Sequence, residues 1–272
     1  MEYTKLIDRI VLPQTDYFCA TDTLTCGQTF RFRPTEKGYA VFSAGYFAEI
    51  EQGKEIVIRT DAPDYFQNYF DLDADYRVIN ESVRVNDVMQ KAAEFGKGIR
   101  ILRQDLYETI LSFLLSSNNR IERIQSILER LCIGAGEKTA FGYAFPTPER
   151  LRRQQDSFFD SLRAGYRAEY LKRTVAMLDD AFLKVLPTLP TPQAREKLQM
   201  LSGVGPKVAD CILLFGLHRT EVFPVDTWIE KCYRLYFDQG HPFRQISPYF
   251  CDLFGKYAGF AQQYLFYFQR EL

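Results

Sequence analysis

The sequence predicts an α+β protein, with a small antiparallel β part leading into an all-helical part. Three observations carry that expectation. Residues 39–60 alternate apolar and polar side chains around a Gly53-Lys54 turn, the period of paired strands. From about Asp75 the apolar residues recur at helical spacing. No internal repeat, low-complexity stretch or long flexible linker interrupts the chain, whose 272 residues suffice for one large domain or two modest ones. The expected division is a β-rich unit over 1–96 and a helical unit over 97–272.

Taken in order, residues 39–52 read as one strand and 55–60 as its returning partner. Residues 106–116 and 121–132 read as apolar-faced helices joined at Ser116-Ser117-Asn118-Asn119. Residues 156–183 look helical, with an interruption near Gly165. Pro187 and Pro190 mark a linker before a helix over 192–200. The turn Leu201-Ser202-Gly203-Val204-Gly205 then leads into a helix over 206–217. A loop ending at Pro224, a helix from Asp226 and a last helix over 248–270 complete the chain.

Hydrophobic content of 46% and charged content of 25% describe an ordinary soluble protein. No apolar run reaches the roughly eighteen residues needed to span a bilayer. The N-terminal stretch lacks the apolar centre of a signal peptide. Six cysteines are scattered without a C-x-x-C pair, which points to reduced thiols inside a cell and away from a zinc site or disulfide framework. Their spacing also disfavours an iron–sulfur cluster. The net charge of −1 hides an uneven distribution. Residues 1–96 hold 10 basic and 16 acidic side chains, whereas residues 97–173 hold 14 and 9. A basic middle suits nucleic acid bound on one face, and it is equally the pattern of ordinary solvated charges.

The most informative segment runs from Leu201 to Asp226. Its glycines permit positive φ and close approach of another backbone, and Pro206 suits a first helical turn. Exposed N–H groups of Gly203, Val204 and Gly205 at a helix N-terminus would hold a DNA phosphate without a basic side chain. The alternative is a purely structural joint between two helices. Lys207 sits where a cation opposes the helix dipole by about 0.3–1 kcal/mol. Its position therefore calls for a reason other than stability, and a lysine amine can serve as a nucleophile. Asp226 could stabilise developing positive charge or simply cap the following helix.

The combination L-x-G-V-G-x-K-V-A-D-C followed by P-V-D resembles the helix–hairpin–helix DNA glycosylases that end in a Gly-Pro-Asp loop. Within them it is similar to the 8-oxoguanine DNA glycosylase/lyase branch. That resemblance implies a TBP-like N-terminal β domain and a helical glycosylase core. It also implies that Lys207 attacks the sugar C1′ and forms a Schiff base, that Asp226 assists, and that Cys211 lines the base pocket. Ser116-Ser117-Asn118-Asn119 resembles the family segment that fills the vacated space, with Asn118 entering it. Gly165-Tyr166-Arg167 resembles the wedge. Tyr166 would buckle the stack while Arg123 and Arg167 hydrogen-bond the orphaned cytosine.

Oxidation at C8 converts guanine N7 from an acceptor into an N–H donor, so the pocket needs an acceptor there. Thr25-Cys26-Gly27-Gln28-Thr29-Phe30-Arg31 resembles the family stretch in which Gly27 supplies that carbonyl. Gln262 and Phe266, at i and i+4 on one helix, share a face. By resemblance the first meets the Watson–Crick edge and the second stacks on the ring. The resemblance extends from Gly27 to Phe266. Two departures stand out. Where animal relatives carry a phosphate-contacting His the chain has Trp228, and where they carry its acidic partner it has Gln269. The expected contact to the DNA backbone there passes to the Trp228 indole.

The expected partner is double-stranded DNA containing 8-oxoguanine, bound by a monomer, with no membrane. No cofactor and no metal are expected in the chemistry, though the hairpin carbonyls near Gln199, Leu201 and Val204 could hold a structural cation. Ending at Leu272 without a basic tail, the chain leans towards a bacterial, cytoplasmic or nucleoid protein and away from a nuclear one. Competing readings are a glycosylase of the same superfamily for another lesion, and a non-catalytic DNA-binding module.

Overall fold

In a computed structural model, residues 2–237 and 240–271 are described; Leu272 lies outside them. The N-terminal part is one six-stranded sheet formed by β1 (Thr4–Lys5), β2 (Arg9–Pro13), β3 (Phe32–Pro34), β4 (Gly38–Ser43), β5 (Tyr46–Gln52) and β6 (Glu55–Arg59). The order is β1-β2-β6-β5-β4-β3, and every neighbouring pair is antiparallel. Alternation puts Ile10, Leu12, Val41, Ala48, Ile50, Ile56 and Ile58 on one buried face. Against them pack Phe18 and the Pro63–Tyr69 helix with its neighbour Phe70. Each such aliphatic side chain contributes about 1.5–3 kcal/mol on full burial.

The stretch expected to be a single strand over 39–52 is two strands, turned at Ala44-Gly45 so that Ser43 pairs with Tyr46. Ala44 adopts a left-handed φ of 51°. Alanine rarely does so, and the single Gly45 beside it is a weak turn signal within a run that alternates like one strand. The expected last helix over 248–270 is likewise two, Phe243–Phe254 and Ala258–Glu271. They part at Gly255, whose φ of 54° ends the first.

The rest of the chain is mainly helical, with one short antiparallel pair, Lys138–Thr139 and Gly142–Tyr143, and the expected boundary at residue 96 does not separate the two cores. Helices Tyr76–Ser82 and Asp87–Phe95 belong with the helical core. Tyr76 meets Phe260 edge-on at 5.5 Å, and Phe95 meets Tyr267 at 5.3 Å. Cys26 and Phe30 also lie in the helical core, while Leu102 lies in the sheet core. The chain crosses between the cores more than once, and a period count along the sequence cannot register such crossings.

Buried polar groups hold the two parts together. Arg100 is fully buried and donates to the carbonyls of Phe70, Tyr17, Ala74 and Asp71, with Tyr76 3.9 Å from its guanidinium carbon. Gln28, equally buried, donates to the carbonyls of Thr23 and Arg100 and accepts from the Leu102 N–H. Its own carbonyl accepts from Gln104 at 2.7 Å. Removing one partner from such a group leaves another unsatisfied, at a cost of about 1–3 kcal/mol. Among the described residues no helix is long and apolar enough to cross a membrane.

Candidate active site

The hairpin joins helix Thr191–Gln199 to helix Pro206–Gly216. Arg195 Nε donates to Asp210 Oδ1 at 2.6 Å, which locks the two helices together. Gly203 has a φ of 82°, and a Cβ there would stand 2.5 Å from the Tyr170 ring. Thr174 also donates to the Ser202 carbonyl at 3.2 Å. The hairpin is thus seated on helix Arg167–Met177, the same helix that begins at the expected wedge. Of the three residues expected to meet DNA phosphate, Val204 differs from the other two. Its side chain is buried, and its N–H closes the turn onto the Leu201 carbonyl at 3.1 Å. Gly203 and Gly205 are exposed. Gly205 caps the helix with no side-chain cap, so the first-turn N–H groups are not covered by one.

Lys207 and Asp226 line one cleft of about 1040 Å³ with Ser116, Ser117, Asn118, Asn119, Arg120, Arg123, Val225, Thr227, Trp228 and Phe243. Lys207 is half-buried, its Nζ 5.8 Å from the centre of the Phe113 ring. Asp226 is the N-cap of helix Thr227–Tyr236 and accepts from the Ile229 N–H at 2.9 Å. That cap fixes the carboxylate at the N-terminal mouth of the helix. The carboxylate therefore both caps a helix and faces the cleft. Cys211 lies one turn beyond Lys207, buried, with its thiol pushed up to about 11 by burial against the opposing pull of Lys207. It stays a neutral thiol at physiological pH and sits behind Lys207, outside the lining of the cleft.

Asn118 follows helix Leu106–Ser116 with a left-handed φ of 49°. Arg167 is buried, donates to the carbonyls of Ser117 and Asn118, and lies 4.3 Å from the Tyr166 ring centre. Its fork thus holds the Asn118 turn, a role the sequence did not suggest. Tyr166 is 57% exposed, enough for its ring to meet a base. Arg123 is exposed and its guanidinium lies beside Gly165, within 3.5 Å of the Arg163 carbonyl.

Gly27, Gln262 and Phe266 form a second group, outside the lining of the Lys207 cleft. Gly27 has a φ of 89°, and a Cβ there would stand 3.4 Å from Phe266 and 3.3 Å from Arg270 Nη1. Gln262 is buried with its Oε1 unpaired. Phe30, three residues after Gly27, meets Phe113 at 5.5 Å, and Lys207 Nζ lies 5.8 Å from the centre of that Phe113 ring. Arg270 and Gln28 escaped the sequence reading. Arg270 donates to the Thr25 carbonyl at 2.8 Å and Gln28 pins the turn from below.

Trp228 is 40% exposed on the cleft wall, with Lys231 Nζ 5.7 Å from its ring centre. Gln269 is buried and faces inward, where it accepts from the Cys232 thiol at 3.6 Å. Phe243, 48% exposed, opens helix Phe243–Phe254 on the same cleft and was also missed. Among the described residues no group of three or more His, Cys, Asp and Glu side chains could hold a metal ion.

Comparison with known proteins identifies the family. Residues 9–110 match the family model described as 8-oxoguanine DNA glycosylase, N-terminal domain. The structure superposes on a Clostridium acetobutylicum 8-oxoguanine glycosylase/lyase, solved with double-stranded DNA containing cytosine opposite 8-oxoguanine. The TM-score is 0.91 at 35% identity, covering 100% of this chain and 98% of the other. An N-glycosylase/DNA lyase of Saccharomyces cerevisiae is 30% identical over 78% of this chain and 66% of its own length. One from Arabidopsis thaliana is 34% identical over 66% of this chain and 56% of its own. The chain thus spans somewhat under two thirds of these two curated relatives. On these matches the chain belongs to the 8-oxoguanine DNA glycosylase family, on the helix–hairpin–helix glycosylase fold.

Proposed function

We propose that the chain is a bifunctional DNA glycosylase/AP lyase of base-excision repair that removes 8-oxoguanine from duplex DNA, preferably opposite cytosine. The observation that carries this is the shared cleft of Lys207 and Asp226, bordered by the Asn118 turn. Lys207 Nζ, as the free amine, attacks the sugar C1′ as the C1′–N9 bond breaks and the base leaves. Asp226 stabilises the positive charge that develops on the sugar. The attached nitrogen gives up a proton and the C1′–O4′ bond opens, leaving a 4′-hydroxyl and the Schiff base; this withdraws electrons, the C2′ proton is lost, and the strand breaks by elimination of the 3′ phosphate.

An enzyme acting on a base within a duplex must extrude it and hold the gap. In this reading Asn118 fills the gap and Tyr166 buckles the stack, Arg123 reads the partner cytosine, and Arg167, expected from the sequence to share that reading, supports the Asn118 turn instead. The unpaired Oε1 of Gln262 gives the extruded base an acceptor it would satisfy, and Gly27 offers its carbonyl to the N7–H beside the Phe266 ring. Gly203 and Gly205 would take a DNA phosphate. The protein would act as a monomer inside the cell. A structural cation on the carbonyls of Gln199, Leu201 and Val204 stays part of the proposal. The Leu201 oxygen keeps a lone pair beyond the one taken by the Val204 N–H, and the ion would supply no chemistry.

Borohydride trapping tests the reading. An 8-oxoguanine·cytosine duplex should give a covalent adduct with the wild type and none with Lys207→Gln. Binding with no adduct in the wild type would overturn catalysis. A panel of duplexes with other lesions and partners tests the substrate.

A further inference from the structure

We infer that Trp228 and Phe243 form a stacking site for the flanking nucleobase of the lesion-bearing strand, beside the position from which the damaged nucleotide is extruded. This deepens the proposed function and rests on it. The two rings are the large exposed apolar groups of a cleft otherwise lined by polar or charged side chains and the buried Val225. They stand at the openings of two successive helices, Thr227–Tyr236 and Phe243–Phe254, so each ring is carried by a first helical turn and not by a mobile loop. Asp226 fixes the first of these turns through its bond to the Ile229 N–H. The position of Trp228 is therefore tied to that of the carboxylate.

The charges around the rings select the occupant. Arg120, Arg123 and Lys207 share the cleft, and Lys231 lies against the indole. Apolar faces between cations suit an aromatic base on a polyanionic backbone. The cleft contains the residue that would attack C1′, so the strand in it is the lesion-bearing one. Indole has a single N–H donor and a wide π-face, and Gln269, turned inward to Cys232, adds no charge to it. The surface that Trp228 offers is thus a face more than a set of donors. Every base has such a face, so the contact would be indifferent to the flanking sequence.

The test uses the full chain carrying Lys207→Gln, so that binding is read without turnover. The probe is a duplex with a tetrahydrofuran abasic analogue opposite cytosine, and 2-aminopurine in the flanking position of the same strand. Trp228→Leu and Phe243→Leu should each weaken binding about tenfold and relieve the quenching of 2-aminopurine. Trp228→Phe and Phe243→Tyr should restore both to within about threefold, with thermal melting unchanged throughout. Leucine variants that bind and quench like the parent would overturn the stacking site. So would equal weakening on an undamaged duplex, or aromatic replacements that restore nothing. Borohydride trapping with otherwise wild-type protein reports separately, since it fails only if the catalytic reading fails.

Discussion

Gly203 supports the Tyr170 ring so closely that no side chain fits between them. The ring carbons lie 2.5 and 2.9 Å from where a Cβ would stand. Two constraints coincide there, because the φ of 82° already disfavours any other residue. Gly203→Ala should lower stability by roughly 1–3 kcal/mol, read as a fall of several degrees in melting temperature. Gly205 has open space around its Cβ position and a φ of −88°, and Gly205→Ala should melt close to wild type. Equal melting of the two variants would refute the packing account.

Asp226 can be separated into its two roles. Asparagine caps a helix about as well as aspartate. Asp226→Asn should therefore keep the melting temperature within a degree or two while lowering single-turnover base release on the order of 10²-fold. A variant that melts early but reacts normally would show that the cap alone matters.

Arg123 and Arg167 should fail differently. Arg123 is exposed, so Arg123→Ala should narrow the spread of rates among the four opposite bases. Arg167 bonds two carbonyls of the Asn118 turn through its planar fork. Arg167→Lys should slow turnover about tenfold or more with every opposite base, since the inserted residue loses its support. Identical profiles for the two variants would contradict this division.

Glu108 supplies a pH test. It accepts from the Ala44 N–H at 2.7 Å and pairs with Arg31 at 3.3 Å, and burial pushes its carboxyl from 4.5 up to about 7. The folded state then holds a proton that the unfolded state has released, so stability falls as pH rises from 4.5 through 7 and levels off above. The change is on the order of 3 kcal/mol. His218, lowered by burial to about 4, acts in the opposite sense, losing stability as pH falls below 6.5. Urea unfolding of Glu108→Gln against wild type isolates the first slope. Parallel pH profiles would sink it.

What the sequence disclosed and what it withheld divide along a physical line. Lys207, Cys211 and Asp226 carry their meaning in local spacing, and the Asn118 segment sits at a helix end that periodicity locates. The turn at Ala44 needs an alanine in the left-handed region, which residue type does not announce, and at Gly255 the apolar pattern over 248–270 outweighs the glycine that ends the helix. Gln28 and Arg100 work through bonds to residues some 70 to 80 positions away. Phe243 became a cleft residue only because the expected last helix is two, which a single helix over 248–270 could not reveal. Such roles exist only after folding.

Gln28 is the neighbour of Gly27 in the chain, and its hydrogen bonds to Thr23, Arg100, Leu102 and Gln104 fasten the seam between sheet and helices. The carbonyl proposed to distinguish a damaged base from a normal one is therefore mounted on the joint of the molecule, whereas Lys207 stands on a helix within one core. Accuracy and reactivity have separate foundations. Warming or denaturant that loosens the seam should blur the choice of base while the amine still reacts, so fidelity would be the first property to fail.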